Sequence, residues 1–182
     1  MARVPYLTAE DLPENERELL DRPININRAL ANSPGALEAN RFVGRWARFR
    51  SSVDPRIREL SIVTVGALTR NLYEYAHHLH LAKEFGASSD DLDDVWRFLS
   101  GEPTLLEPQV LHSLELARQL TEAGRVRDEV WAPVEAELGR QAAVDLVTIV
   151  GYYNMVVRVL SALEVDLEPE WRMELDEHPM RP

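Results

Sequence analysis

Apolar residues recur every three to four positions along most of this chain, which is the period of an amphipathic helix. The clearest case runs from Asp54 to Gly86, where the pattern predicts two helices separated by a break at 69–71. Asp54 and Pro55 suit the cap and first turn of the first helix, and Gly86 suits the end of the second. No run between turn signals alternates with the two-residue period of a strand. We therefore expect an all-α fold.

The same signals predict helices in the rest of the chain. Caps and first-turn residues indicate helix starts near Asn25, Ser33, Ser88, Pro108, Asp128 and Arg140. The sequence thus predicts one compact domain of roughly seven or eight helices over residues 24–168. Residues 1–23 are polar, acidic and interrupted by prolines, as in an arm lying on the domain or on a neighbouring subunit. Residues 169–182 form an acidic C-terminal tail, which we expect to be loosely held.

The most apolar segment lies between Asp145 and Arg158. It is shorter than the roughly 20 residues that a membrane span needs, so it indicates a buried helix rather than a membrane anchor. Because its circumference is apolar on nearly every side, it must be enclosed on most sides. In a chain this small, a second subunit is the expected cover. We therefore predict a homo-oligomer.

Composition narrows the possible functions. The chain has 182 residues, a formal net charge of −11 and no cysteine. The negative charge argues against nonspecific binding to nucleic acid or to an anionic membrane. The absence of cysteine removes disulfides, thiolate metal sites and thiol mechanisms, and it is compatible with a cytoplasmic protein. The first residues contain no apolar run of signal-peptide length, so we expect a cytoplasmic location.

One group of residues is a candidate acid–base site. Glu74 and His78 are four residues apart and lie on one stripe of the second helix, and Glu59 lies near the start of the first. If the two helices pack antiparallel, the three side chains meet. A carboxylate favours the protonated imidazole while burial opposes it, so the pair is suited to holding a proton near neutral pH. Two alternatives remain open: a structural pair between helices, or a divalent metal held by two carboxylates and one imidazole.

Other polar residues are candidates for substrate binding. Tyr73 follows the break between the helices, Arg45 belongs to a locally basic helix, and Asn154 and Arg158 lie in the apolar segment. Packing or pairing with nearby groups explains each of them equally well. His77 and His80 lie off the Glu74–His78 stripe, which favours surface or subunit-contact positions. The chain has no nucleotide-binding glycine motif and no serine-nucleophile motif, so we predict no cofactor.

The region around His78 resembles the carboxymuconolactone decarboxylase family. The residues that carry the resemblance are Arg58-Glu59, Tyr73-Glu74-Tyr75-Ala76-His77-His78, Ala82 and Gly86. Peroxidase members carry a Cys-x-x-Cys-x-x-x-His motif, and aligning its histidine with His78 places Asn71 and Glu74 at the cysteine positions. Glu59 matches a glutamate that those members use in proton relay. The resemblance extends over roughly residues 30–168 and corresponds to a cysteine-free branch.

The resemblance implies an AhpD-like helical fold and a homo-oligomer, either a trimer or a hexamer. It also implies a lyase-like enzyme that performs decarboxylation or related carbon–carbon acid–base chemistry on a small carboxylate-bearing molecule. His78 would deliver a proton, Glu74 would orient it and Glu59 would relay protons, with Arg45 or Arg158 holding a substrate carboxylate. The alternative is a noncatalytic ligand-binding or scaffold relative. Thiol peroxidase activity is disfavoured because its nucleophile is absent.

Overall fold

The structure of the protein, a computed structural model, describes residues 2–181. It contains nine α-helices, which are α1 (Asn25–Leu30), α2 (Pro34–Phe49), α3 (Pro55–Leu68), α4 (Leu72–Glu84), α5 (Ser89–Leu99), α6 (Pro108–Ala123), α7 (Asp128–Leu138), α8 (Arg140–Leu163) and α9 (Arg172–Glu177). Short 3₁₀ segments precede α1 at Ala9–Asp11 and Glu14–Leu20, and another precedes α9 at Pro169–Trp171. No strand occurs between residues 2 and 181. The prediction of an all-helical fold is confirmed.

Helix α3 is the centre of the domain. Every residue from Ile57 to Ala67 is buried, and α3 packs against α4, α5, α6 and α8. A helix enclosed on all sides must satisfy its polar side chains internally. Ser61 and Thr64 do so by donating hydrogen bonds to the carbonyls of Ile57 and Leu60. The charged residues Arg58 and Glu59 have no such local solution, which makes their partners informative.

The α3–α4 pair forms as the sequence predicts. The Asp54 carboxylate accepts hydrogen bonds from the amides of Arg56 and Ile57 at 3.0 and 3.1 Å, which caps α3. The chain then turns at Arg70, which adopts a left-handed conformation with φ 53°. The Asn71 side chain accepts a hydrogen bond from the Glu74 amide at 2.9 Å and caps α4. These local contacts set where α4 begins and which of its faces meets α3.

The C-terminal tail differs from the sequence prediction. The expectation of a loosely held tail is wrong for the part that the structure describes, because Glu174 and His178 are buried. Helix α9 lies against α4, and Glu174 accepts a hydrogen bond from Lys83 of that helix at 2.9 Å. Helices α1 to α8 lie within residues 24–168, where the sequence predicts seven or eight, and α9 lies in the tail.

Helix α8 contains the most apolar segment of the chain. Among the described residues it is the one helix long and apolar enough, by length and composition, to cross a membrane. It packs against α2, α3, α6 and α7 and buries Leu146, Ile149 and Val157, as a core helix does. Met155 and Val144 remain exposed on its outer side. The homo-oligomer stays a prediction.

Candidate active site

Glu59, Glu74 and His78 form one buried cluster between α3 and α4. His78 Nδ1 lies 2.6 Å from Glu59 Oε2, and His78 Nε2 lies 2.9 Å from Glu74 Oε1. Glu59 is only 2% exposed, Glu74 4% and His78 5%. The imidazole therefore bridges two carboxylates from two different helices.

The close packing of α3 and α4 makes this contact possible. A side chain at Gly66 would lie 2.9 Å from the backbone nitrogen of Tyr75, so only glycine permits this helix spacing. The amide of Asn71 also donates to the carbonyl of Gly66 at 3.0 Å, which closes the connection tightly. The chain reverses within a few residues, and Glu59 near the start of α3 consequently meets His78 in the middle of α4.

Arg58 adds a second positive charge to the cluster. Its Nε donates to Glu59 Oε1 at 2.8 Å, and its Nη1 donates to the carbonyl of Arg48 at 3.1 Å. The guanidinium also lies over the ring of Phe85, 4.8 Å from the centroid. The Glu59 carboxylate is thus shared between an arginine and a histidine.

The electrostatics favour a charged His78. Burial opposes the charge, but the carboxylates of Glu59 and Glu74 outweigh burial and raise the pKa of His78 to about 9. Burial would raise the pKa of Glu59, but His78 and Arg58 outweigh it and lower the pKa below its ordinary value. The geometry agrees, because Nδ1 is hydrogen-bonded to Glu59 and Nε2 lies within ion-pair distance of Glu74. His78 is therefore an imidazolium at neutral pH, and it keeps its proton to higher pH than the sequence predicts.

This arrangement leaves His78 poorly suited to binding a cation. A metal ligand must present a lone pair, and both ring nitrogens of His78 face carboxylates. Within residues 2–181 no group of three or more histidine, aspartate or glutamate side chains is arranged to hold a metal ion. The cluster is organised to hold a proton.

A cavity of about 460 Å³ opens beside the cluster. Its walls come from the segment before α1 and from α1, α2, α3, α4 and α8, and they include Glu59, Glu74 and His78. Five arginines line it, namely Arg22, Arg41, Arg45, Arg48 and Arg58, against the three carboxylates Asp21, Glu59 and Glu74. A protein with an overall charge of −11 therefore has a cavity whose charged lining residues are mainly cationic.

Tyrosines from α8 form another part of the cavity wall. The Tyr153 ring meets the His78 ring edge to face at 4.8 Å. Burial, together with the charges of Glu74 and Glu59, raises the pKa of Tyr153 well above its ordinary value, so its hydroxyl stays protonated. Tyr152 donates to Asn40 of α2 at 3.0 Å, where Gly44 leaves room for its hydroxyl. These contacts join α8 to α2 across the cavity.

The structure separates the four residues predicted to bind substrate into two pairs. Tyr73 and Arg45 line the cavity. Asn154 and Arg158 do not: Arg158 donates to Asn154 Oδ1 at 2.9 Å, and Asn154 donates to Thr121 of α6 at 2.9 Å. A helical spacing of four residues lets these two satisfy one another on a different side of α8. The proposed site consequently omits them.

His77 is buried and also lines the cavity, so its predicted surface position is wrong. Its Nε2 lies 2.8 Å from Glu168 Oε2, and its ring stacks on Tyr73 with centroids 4.4 Å apart. Glu168 Oε1 also accepts from the Tyr73 hydroxyl at 3.0 Å and from the Asn25 amide at 2.6 Å. Glu168, which the sequence analysis misses, therefore positions two residues that line the cavity, His77 and Tyr73. His80, in contrast, is partly exposed and pairs with Glu174 and Glu84.

Comparisons with known proteins agree with this fold. The model of the carboxymuconolactone decarboxylase family matches residues 34–119, a range that contains Glu59, Glu74 and His78. A crystal structure of an alkylhydroperoxidase AhpD core, a peroxidase-related protein from Ralstonia eutropha JMP134, superposes with a TM-score of 0.82 at 17% identity, covering 99% of this chain and 98% of that one. A peroxidase-related protein from Silicibacter sp. TM1040 superposes with a TM-score of 0.69 at 20% identity, covering 94% and 97%.

A third solved structure is that of the debrominase Bmp8, a cysteine-to-alanine variant in complex with 2,3,4-tribromopyrrole. It superposes with a TM-score of 0.79 at 15% identity and covers 97% of each chain. No curated protein matches the chain. At these identities the solved structures establish the fold, which is AhpD-like, and the predicted resemblance is confirmed.

Proposed function

Residues 34–119 of this chain belong to the carboxymuconolactone decarboxylase family, and from this premise we propose that the protein is a cysteine-independent, lyase-like enzyme. Its substrate is a small carboxylate-bearing organic molecule, and its chemistry is decarboxylation or a related carbon–carbon acid–base reaction. The observation that carries the proposal is an imidazolium held between two carboxylates in the wall of an arginine-lined cavity.

The cavity supports the substrate class. Its volume of about 460 Å³ is in the range of small-molecule sites. Arg22 and Arg45 line it, and neither has a carboxylate within 4.0 Å among residues 2–181. They attract an anion to the mouth. The debrominase of the same fold is complexed with a small heteroaromatic molecule, which supports a small organic ligand here.

The roles of the three residues follow from their contacts. When a carboxylate leaves as carbon dioxide, the electron pair of the broken bond stays on carbon, and that carbanion needs a proton. His78 supplies it from Nε2, the nitrogen that faces Glu74. Glu74 orients the ring, Glu59 holds the Nδ1 hydrogen of the imidazole, and a proton taken up from water in the cavity restores Nε2 after each turnover. The tyrosine hydroxyl of Tyr153 remains a neutral neighbour.

Thiol chemistry has no support in this chain. At the two positions that match the family's peroxidase cysteines, Asn71 caps α4 and Glu74 binds His78. Neither side chain can form a sulfenic acid or a disulfide. The second candidate function is a noncatalytic ligand-binding or scaffold role, and the near-complete burial of the cluster favours it, since a buried ion pair also ties two helices together.

The two functions are separated by measuring thermal stability and activity on the same variants. We expect His78→Gln and Glu74→Gln to stay folded but to lose turnover in a screen of small carboxylates assayed for carbon dioxide release. His112→Gln is the control, because His112 is partly exposed, pairs with Glu137 and lies outside the cavity. Variants that melt far below the parent while keeping full turnover would show that the cluster stabilises the packing of α3 against α4 and is not catalytic.

We further propose that the protein is a cytoplasmic homo-oligomer, a trimer or a hexamer. Exposed apolar side chains on α2 and α8, including Phe42 and Met155, support burial of these faces by another subunit. Light scattering should give a multiple of 20.8 kDa at micromolar concentration. A monomer mass would refute the assembly and leave the catalytic proposal standing.

A further inference from the structure

Two arginine nitrogens beside the cavity lack a hydrogen-bond acceptor. Arg48 Nε and Arg58 Nη2 are buried and donate to no atom among the described residues. Buried polar groups in native proteins almost always have a partner, and a buried charged donor is the most costly to leave without one. Both residues line the cavity that contains His78.

Arg48 and Arg58 are linked by two contacts. Arg48 and Arg58 both lie over the ring of Phe85, 5.5 and 4.8 Å from its centroid. The carbonyl of Arg48 accepts from Arg58 Nη1 at 3.1 Å, which fixes the end of α2 against the start of α3. Phe85 and this backbone contact thus fix both arginines where α2 meets α3, and both line the cavity.

The carboxylates nearby do not balance these charges. Arg58 shares Glu59 with His78, and Glu74 serves His78. The nearest carboxylate to Arg48 is that of Glu84, 3.7 Å away and 50% exposed. The buried carboxylates Glu59 and Glu74 thus pair with Arg58 and His78, and Arg48 has only the half-exposed Glu84. An anion in the cavity would give Arg48 a second counterion, less solvated than Glu84.

We infer that Arg48 and Arg58 form the subsite for one carboxylate group of a small, planar organic anion. A carboxylate offers two oxygens in the geometry that guanidinium donors match, and Arg48 Nε and Arg58 Nη2 are the donors that lack an acceptor. The apolar body of the ligand then lies along Phe49 and Leu81, which line the same cavity. This inference rests on the proposed function and identifies the residues that bind the substrate carboxylate. Arg45, exposed at the mouth, attracts the anion but does not seat it.

Benzoate is the probe for this subsite, and benzamide is its neutral counterpart of the same shape. In calorimetric titrations of the purified protein, we expect saturable binding of benzoate and at least about tenfold weaker binding of benzamide. Loss of a hydrogen bond to a charged group is worth roughly 1.5–3 kcal/mol, which corresponds to about ten- to a hundredfold in affinity. Arg48→Met should therefore weaken benzoate binding by at least about tenfold, and Arg48→Lys should weaken it less.

Arg50→Met is the matched control, because Arg50 is exposed at the end of α2 and does not line the cavity. It should bind benzoate as the parent does. Arg48 is chosen over Arg58 because it holds no buried carboxylate, so its variant keeps the Glu59 contacts. The inference is overturned if the parent binds no benzoate, if benzamide binds equally well, or if Arg48→Met matches the parent.

These outcomes are independent of those for the proposed function. Normal benzoate binding by Arg48→Met, combined with loss of turnover in His78→Gln, would refute the subsite and support the proposed enzyme. Arginine-dependent benzoate binding, combined with full turnover in His78→Gln, would support the subsite and refute the proposed chemistry.

Discussion

His77 and His78 are adjacent on α4, yet they lie in two different kinds of environment. His78 has carboxylates at both ring nitrogens, and Arg58 shares one of them. His77 has one carboxylate partner, Glu168, and lies between the rings of Tyr73 and Trp171. The first is an ionic cluster and the second is mainly an aromatic stack with one anion.

The stability of the two clusters therefore depends on their carboxylates to different degrees. Removing Glu59 would leave Arg58 and His78 without their shared partner in the interior. Removing Glu168 would leave His77 and Tyr73, which can both be neutral, and the Tyr73 hydroxyl would still accept from the Ile26 amide at 3.2 Å. An uncompensated buried charge costs more than a lost neutral contact.

The largest expected effect is therefore that of Glu59→Ala. We predict that it lowers the free energy of unfolding by roughly 3–5 kcal/mol, the usual cost of breaking a buried ion pair. Glu168→Ala should cost roughly 1–3 kcal/mol, since it removes hydrogen bonds from groups that can be neutral. Urea unfolding of both variants at pH 7 gives the comparison, and an equal loss would contradict the distinction between the clusters.

Stability should also depend on pH through His78. Its pKa rises from 6.5 to about 9 on folding, so the folded state binds the proton more tightly. The stabilisation is fully present below pH 6.5 and is lost as the pH rises through 9, and it is on the order of 3 kcal/mol. Urea unfolding of the parent and of His78→Gln from pH 6 to pH 10 tests this. A difference in stability that does not shrink at high pH would contradict the assignment.

Glu168 should contribute in the opposite pH range. Burial opposes its charge, but hydrogen bonds from His77 and the Asn25 amide outweigh burial and lower the pKa of Glu168 below its ordinary value. Its stabilisation is present above the ordinary pKa of about 4.5 and is lost as the pH falls through the lower folded value. The parent and Glu168→Gln should therefore converge in stability only in acid, and convergence at high pH instead would count against this role.

A local effect should follow in the tail. Glu168 fastens the segment that leads into α9, so we expect Glu168→Ala to raise the rate of tryptic cleavage at Arg172. A loss of about 1–2 kcal/mol in local stability corresponds to roughly a 5- to 30-fold faster cleavage. Cleavage at the parental rate would show that the contacts of Glu174 with Lys83 and His80 hold the tail alone.

The smallest effect is expected at the cap of α4. Asn71→Ala removes the acceptor for the Glu74 amide and should cost about 1 kcal/mol in unfolding free energy. Asn71→Asp keeps that acceptor and is the control. A loss above the cost of Glu168→Ala would mean that the bonds of Asn71 to Val157 and Ser161 on α8 matter more than the cap.

The two histidines also show what the sequence can predict. Glu74 lies four residues before His78, and Glu59 lies across a short connection, so helical spacing and antiparallel packing bring all three together. The cap at Asp54 makes the start of α3 equally local. These features are visible in a stretch of about thirty residues, and the structure confirms the geometry that they predict.

The partner of His77 lies 91 residues further along the chain, at the end of the predicted domain and next to the acidic tail. No local spacing relates Glu168 to α4, and the contact depends on how the whole domain packs. Arg158 and Asn154 show the opposite case, since their spacing of four residues indicates a pair as readily as a binding site. The long-range contacts, rather than the helices, are what the sequence does not reveal.

The site depends on His78 being a proton-bearing imidazolium between Glu59 and Glu74. The direct test is ¹⁵N nuclear magnetic resonance of the His78 ring in the folded protein at pH 7.5, assigned with His78→Gln. Both ring nitrogens should show the shifts of protonated imidazolium and should lose them only near pH 9. A neutral ring at pH 7.5, with one unprotonated nitrogen, would contradict the account.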